Sequence, residues 1–223
     1  MKKLNVIVTG ATGMVGEGVL FECMENPQVE NILIIVRKPS GVSHPKVKEI
    51  IHKDFSNIEP IKEQVKNYDA CFFCLGVSSI GMKEDEYTKL TYTLTLGFAK
   101  TLSEVSPQAT FCYVSGAGTD STEKGKSMWA RVKGKTENDL AKLPFKATYN
   151  FRPGMMKPSK GQQHVLSAYK YMGWLYPIIK GLFANSACTI QEVGRAMINV
   201  TLSGYTKQAI EVSDILTLAK KQV

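Results

Sequence analysis

The sequence lacks any run of about 18 apolar residues, so it holds no segment long enough to cross a bilayer as a helix. Its apolar start is short as well. After Met1-Lys2-Lys3-Leu4, the run Val6-Ile7-Val8 stops at once. A secretory leader needs about 7–15 apolar residues in its middle, so the expectation is a cytoplasmic chain. Histidine is scarce: His44, His52 and His164 lie far apart without ligand spacing, and no metal is expected. Cysteine is few and odd in number, at Cys23, Cys71, Cys74, Cys112 and Cys188. Free thiols fit that pattern better than a disulfide framework. Cys71 and Cys74 form a C-x-x-C inside an apolar run. Positions three apart on a strand face opposite ways, so plain packing is the expectation there.

Acidic residues are outnumbered, 20 against 28 Lys and Arg, for a formal charge of +8. Such a surplus suits nucleic acid, an acidic membrane or a phosphorylated small ligand. Lys124, Lys126, Arg131, Lys133 and Lys135 form the densest basic cluster, but no helix-turn-helix or other nucleic-acid motif accompanies it. No nucleic-acid partner is expected. Glycine (18) and proline (9) show no triplet period, which excludes a fibrous chain. Hydrophobic residues at 43% and charged residues at 22% are ordinary for a globular protein. The 223 residues suit one domain.

Apolar runs alternate with amphipathic stretches. The runs are Leu4 to Thr9, Asn31 to Val36, Val47 to Phe55, Ala70 to Leu75, Thr110 to Ser115 and Thr148 to Phe151. Helical spacing marks residues 14–25, 85–104 and 127–143. Strands alternating with helices predict an α/β doubly wound parallel sheet, a Rossmann fold with helices on both faces. After residue 156 the rhythm breaks. Residues 164–183 are rich in aromatics, 190–202 read as a helix and 209–212 as a short strand. This predicts a dinucleotide-binding core over 1–156 and a small C-terminal lobe over 157–223, set above the carboxyl edge of the sheet. Residues 165–183 also mix apolar, aromatic and lysine residues as interfacial helices do, although Pro177 interrupts them. Covering a substrate pocket is the plainer role.

The sharpest motif is Thr9-Gly10-Ala11-Thr12-Gly13-Met14-Val15-Gly16, with a predicted strand before it and a helix after it. Gly10 permits a tight turn, Gly13 lets a pyrophosphate reach the backbone, and Gly16 lets the helix pack close. Thr12, Met14 and Val15 complete the cradle. The helix N-terminus offers free N–H groups and partial positive charge to phosphates. Arg37 and Lys38 end the second run, where an NAD-binding protein usually carries an acidic residue. A guanidinium matches the 2′-phosphate of NADP, so NADP(H) is expected over NAD(H). A solvated strand end is the other reading. Asp54 and Phe55 suit the adenine, or simply begin a loop. Leu75 and Gly76 end the fourth run against the same ligand.

These residues resemble the atypical short-chain dehydrogenases/reductases. The resemblance extends through Cys74-Leu75-Gly76, Tyr113-Val114-Ser115, Val132-Lys133-Gly134-Lys135-Thr136-Glu137 and Phe151-Arg152-Pro153-Gly154, over residues 4–156. The branch containing the Tat-interacting oxidoreductase and its bacterial relatives is the most similar. The resemblance implies an NADPH-dependent oxidoreductase acting on a small carbonyl-type substrate. It places Ser115 at the catalytic serine, Lys133 at the lysine that holds the nicotinamide ribose, and Pro153 beside the nicotinamide. The tyrosine position, four before Lys133, holds Trp129. An indole N–H donates a hydrogen bond but delivers no proton. Another acid must then serve: Tyr87, Tyr92, Tyr169, Tyr171, or Lys133 itself, if burial brings its pKa toward neutrality. Epimerase or dehydratase chemistry, found among such proteins, is a variant. The alternative is an NADP(H)-binding regulator with little turnover.

Overall fold

The computed structural model describes residues 3–165 and 186–221. In chain order its strands are β1 (Leu4–Thr9), β2 (Val29–Val36), β3 (Val47–Ile51), β4 (Ala70–Phe73), β5 (Thr110–Val114), β6 (Ala147–Arg152), β7 (Met155–Lys157), β8 (Ala187–Thr189) and β9 (Ala209–Glu211). The helices are α1 (Met14–Glu25), α2 (Glu84–Thr88), α3 (Leu94–Val105), α4 (Met128–Leu140), α5 (Ile190–Ser203) and α6 (Val212–Ala219). Seven strands form one sheet in the order β3-β2-β1-β4-β5-β6-β9, and every pairing is parallel. This is the predicted α/β Rossmann-like architecture.

The order reverses between β1 and β4. There the chain leaves one half of the sheet for the other, and a crevice opens beyond the strand ends. Both faces of the sheet are covered, so its strands are apolar on both sides. Val6, Val8, Ile32 and Ile34 pack toward α1, α5 and α6. Ile7, Leu33, Ile35, Cys71 and Phe73 pack toward α3. Phe73 sits 5.2 Å from Phe98 and 5.6 Å from Phe111, ring centre to ring centre. Cys71 and Cys74 join opposite faces, and both are free thiols.

The stretch read as one helix over 85–104 carries a π turn at Lys89–Thr93 between α2 and α3. Single π turns often accompany ligand sites. Here Lys89 and Leu90 line a cavity.

The described part of the C-terminal region differs from the lobe expected over 157–223. β9 extends the main sheet, pairing Asn150 with Ala209 and Arg152 with Glu211. α5 lies along α1, so closely that a Cβ on Gly18 would stand 2.4 Å from Ile190 Cγ2. The reason is apolar area: Val193, Met197 and Ile198 of α5 are fully buried. An apolar helix face gains most where the sheet has a face to cover. Among the described residues only β7 and β8 form a separate two-stranded pair, at the carboxyl edge. The remainder of the lobe expectation, including Tyr169, Tyr171 and the aromatic stretch, lies outside the described residues.

Candidate functional site

The glycine loop joins β1 to α1 at the point where the strand order reverses. Gly10 has φ +71°, and its Cβ would stand 2.8 Å from the Cys74 carbonyl oxygen. A Cβ on Gly16 would stand 2.1 Å from the Gly10 carbonyl oxygen. Both positions therefore exclude a side chain on internal grounds. Gly13 does not: its nearest neighbour would be 3.4 Å away, and the residue faces a cavity. Gly13 is also the N-cap of α1, without any side-chain cap. The first amides of α1 are thus left for a ligand, and the helix dipole favours an anion there.

Two cavities meet at Leu75 and Gly76 along the carboxyl edge. The first, about 370 Å³, is lined by Arg37, Lys53, Asp54, Phe55, Lys89 and Leu90 among others. Phe55 is buried on Phe98, at 6.1 Å between nearly parallel rings, and turns only part of its surface to the cavity. Asp54 accepts from the Ser56 amide at 2.9 Å and the Ser56 hydroxyl at 2.6 Å. The Ser56 hydroxyl and amide hold its carboxyl below the usual carboxylate range. A third hollow, between Thr12, Arg37, Lys38 and Pro39, opens on the same side. Among the described residues neither Arg37 nor Lys38 has an ion-pair partner, and both line this hollow.

The second cavity, about 470 Å³, brings together Gly13, Met14, Val15, Leu75, Gly76, Ser115, Lys133 and Pro153. Gly10 and Gly16 do not line it, and Gly10 borders a small hollow with Thr12 and Arg37. Met156 of β7 closes one side. The Lys133 amine donates to the Ser115 carbonyl oxygen. Burial lowers its pKa to about 8, against the opposing pull of the Glu137 charge.

Ser115 is buried, and its hydroxyl donates to Glu137 Oε1, with the Phe151 carbonyl oxygen 3.1 Å away. Its one proton is therefore engaged inside the protein rather than free in the cavity. Trp129 does not line this cavity. Its ring rests against Gly118, whose Cβ would lie 3.5 Å from Trp129 Cη2. Tyr87 is buried, and burial raises its pKa. Tyr92 donates to Asp139 Oδ2 at 2.8 Å, on the outer side of α4. Of the proton donors weighed from sequence, Lys133 alone among the described residues lines the cavity.

Sequence reasoning passed over Glu137 and Arg152 as individuals. Glu137 is fully enclosed on α4, and Arg152 ends β6. Arg152 Nε donates to Glu137 Oε1 at 3.0 Å, and Nη2 donates to Oε2. The signal was present: a buried-helix Glu in one motif and a strand-end Arg in the other carry opposite charges. Of the basic cluster at 124–135, Lys124 and Lys126 are exposed, while Arg131 and Lys135 make contacts within the protein. Arg131 donates to the Gly125 and Lys126 carbonyls and to Glu84, and Lys135 lies over the Tyr92 ring.

No family model matches the chain. The chain is similar to the mitochondrial protein FMP52 of Debaryomyces hansenii, 24% identical over 92% of this chain and 90% of that one. It is also similar to the mitochondrial protein fmp52 of Emericella nidulans, 27% identical over 89% and 87%. These names overturn the expectation of a cytoplasmic chain. A mitochondrial leader is amphipathic, so a short apolar start does not bear on it.

Among solved structures, the fold matches the ADP-L-glycero-D-manno-heptose-6-epimerase of Helicobacter pylori, with TM-score 0.67, 15% identity and coverage of 98% and 82%. It matches WbmF of Bordetella bronchiseptica in complex with NAD+, with TM-score 0.66, 14% identity and coverage of 97% and 77%. It also matches a short chain dehydrogenase of Burkholderia cenocepacia in complex with NADP, with TM-score 0.64, 14% identity and coverage of 93% and 87%. These matches show a shared α/β Rossmann-like fold. No helix among the described residues is long and apolar enough to cross a membrane.

Proposed function

We propose that the protein is an NADP(H)-dependent oxidoreductase of the atypical short-chain dehydrogenase/reductase type, acting on a small carbonyl compound. One observation carries this reading. Adjoining cavities along the carboxyl edge present, in order, Arg37, the uncapped α1 terminus and the Lys133 amine. That order fits the 2′-phosphate, the pyrophosphate and the nicotinamide ribose of one extended ligand. The open face of Gly13, and Gly76 with no neighbour within 4 Å of its would-be Cβ, leave room for it. The motif resemblance to the Tat-interacting-oxidoreductase branch supports the same reading.

A bound nicotinamide supplies or takes up the hydride. This chain's residues do the rest. The α1 amides and Arg37 fix the phosphates. Met14, Val15 and Met156 keep water from the reacting end. Lys133 donates hydrogen bonds to the ribose. With a pKa of about 8 its amine holds a proton at neutral pH yet releases it readily, so Nζ passes that proton to the carbonyl oxygen during reduction. Trp129 shapes the loop around Gly118 and takes no part in proton transfer.

Arg37→Ala is expected to weaken NADPH binding by about 1.5–3 kcal/mol and to leave NADH binding nearly unchanged. Side-by-side titration calorimetry measures both. Equal losses for the two nucleotides would remove the 2′-phosphate assignment, and binding of neither by the unaltered protein would remove the oxidoreductase reading. A second reading, an NADP(H)-binding regulator, is favoured by Trp129 at the tyrosine position and by the engaged Ser115 proton. Tight NADPH binding without turnover across a carbonyl panel would select it.

A further inference from the structure

Three motif residues close a ring behind the cavity. Lys133 and Glu137 lie four apart on α4, which puts them on one face of the helix. The Lys133 amine donates to the Ser115 carbonyl oxygen, and the Ser115 hydroxyl donates to the Glu137 carboxylate. Ser115 is the hinge of the ring. Its amide donates to the Phe151 carbonyl at 2.8 Å, so the residue is held against β6 as well. Arg152, the next residue on β6, grips both oxygens of Glu137. We propose that Glu137 is a positioning residue, which fixes the Lys133 amine at the cavity wall by holding Ser115 from behind.

This inference rests on the reading of Lys133 as the cofactor-facing amine. It reassigns the Ser115 hydroxyl, whose proton goes to Glu137. Only the peptide carbonyl of Ser115 meets the amine. Without the hydroxyl anchor, the carbonyl at the end of β5 is held by one backbone bond instead of two contacts. The lysine stem is long and has many rotamers, so its head is placed only as well as its acceptor is. Arg152 serves by holding both oxygens of the enclosed Glu137. A neutral Glu137 would no longer support the charge on Lys133, whose pKa the carboxylate holds up against burial.

A plain structural clamp between α4 and β6 predicts a loss of stability and, at Lys133, only the titration shift that losing a nearby negative charge brings. Positioning predicts more. The test uses the full chain with isotope-labelled lysine, following the Lys133 Nζ and Cε signals by NMR through a pH titration. NADPH affinity is measured in parallel. In Glu137→Gln the Lys133 titration should move to lower pH, and NADPH should bind roughly tenfold more weakly. Ser115→Ala leaves the Glu137–Arg152 pair intact and should displace the Lys133 signals while lowering melting little.

A folded Glu137→Gln protein with NADPH affinity unchanged overturns the proposal, whatever the Lys133 titration does. If Glu137→Gln does not fold, Ser115→Ala decides, and unmoved Lys133 signals overturn it. Failure of the unaltered protein to bind NADPH defeats the cofactor reading instead, and the Lys133 signals of Ser115→Ala then judge the positioning alone.

Discussion

A methyl group at Gly16 would sit 2.1 Å from the Gly10 carbonyl oxygen, whereas one at Gly13 would meet nothing nearer than 3.4 Å. Gly13 also has extended backbone angles that alanine adopts freely. The two substitutions should therefore separate folding from binding. Gly16→Ala forces α1 away from β1 and is expected to cost about 3 kcal/mol or more in urea unfolding. Gly13→Ala should cost under about 1 kcal/mol, as an exchange at a helix N-cap, yet weaken NADPH binding, because its methyl stands where the pyrophosphate approaches. Full NADPH affinity in a folded Gly13→Ala protein would argue that the ligand lies elsewhere. The difference between the glycines was legible in the sequence, since each position of the motif has its own steric task. The direction of the Ser115 proton was not. It depends on Glu137, which is 22 residues away, and no spacing rule aligns a strand-end hydroxyl with a helix carboxylate. Trp129 shows the same limit: four residues before Lys133 places it on that face of α4, but Gly118 decides where its ring rests.

Elements were read well where one helix or strand buries one apolar face. β1 is read over Leu4–Thr9 and is found there, because Val6, Ile7 and Val8 are fully buried. The π turn at Lys89–Thr93 had no local signal, as the apolar spacing of Leu90 and Leu94 suits an ordinary helix equally well. β9 was legible as a strand but not as a member of the main sheet. Three residues cannot specify which edge they join; the pairing follows from α5 docking on α1 and bringing the chain back beside β6. The start of α5 is fixed by a capping box, in which Thr189 Oγ1 accepts from the Glu192 amide at 3.0 Å. Thr189→Ala should lower stability by about 1 kcal/mol without altering the preference between NADPH and NADH. Thermal melts and paired titrations check the two halves of that statement. A changed preference would mean that α5 shapes the groove directly rather than supporting α1.

At the scale of the molecule, part of the cation surplus lines the groove. Arg37, Lys38, Lys53 and Lys89 gather at one end, and Lys133 stands alone at the other. Placing an amine in an enclosed, mostly apolar wall has a cost that pH reveals. Lys133 titrates near 8 in the folded protein and near 10.5 in the unfolded chain. Between those values the unfolded chain binds a proton that the folded protein does not. Linkage then requires the Lys133 contribution to stability to rise as pH climbs through this window and to be flat below it. The buried thiols act in the opposite sense. Burial raises the pKa values of Cys23, Cys71 and Cys112, so unfolding releases protons at alkaline pH and stability falls. The total curve therefore mixes both effects, but a comparison with Lys133→Met isolates one, since the thiols are common to both proteins. The difference in unfolding free energy should favour the methionine variant near pH 7 and shrink steadily from pH 8 to 10.5. Urea melts at half-unit intervals measure it. A constant difference across the window would mean that Lys133 titrates like a solvated lysine, and its role as the proton donor would fall with that result.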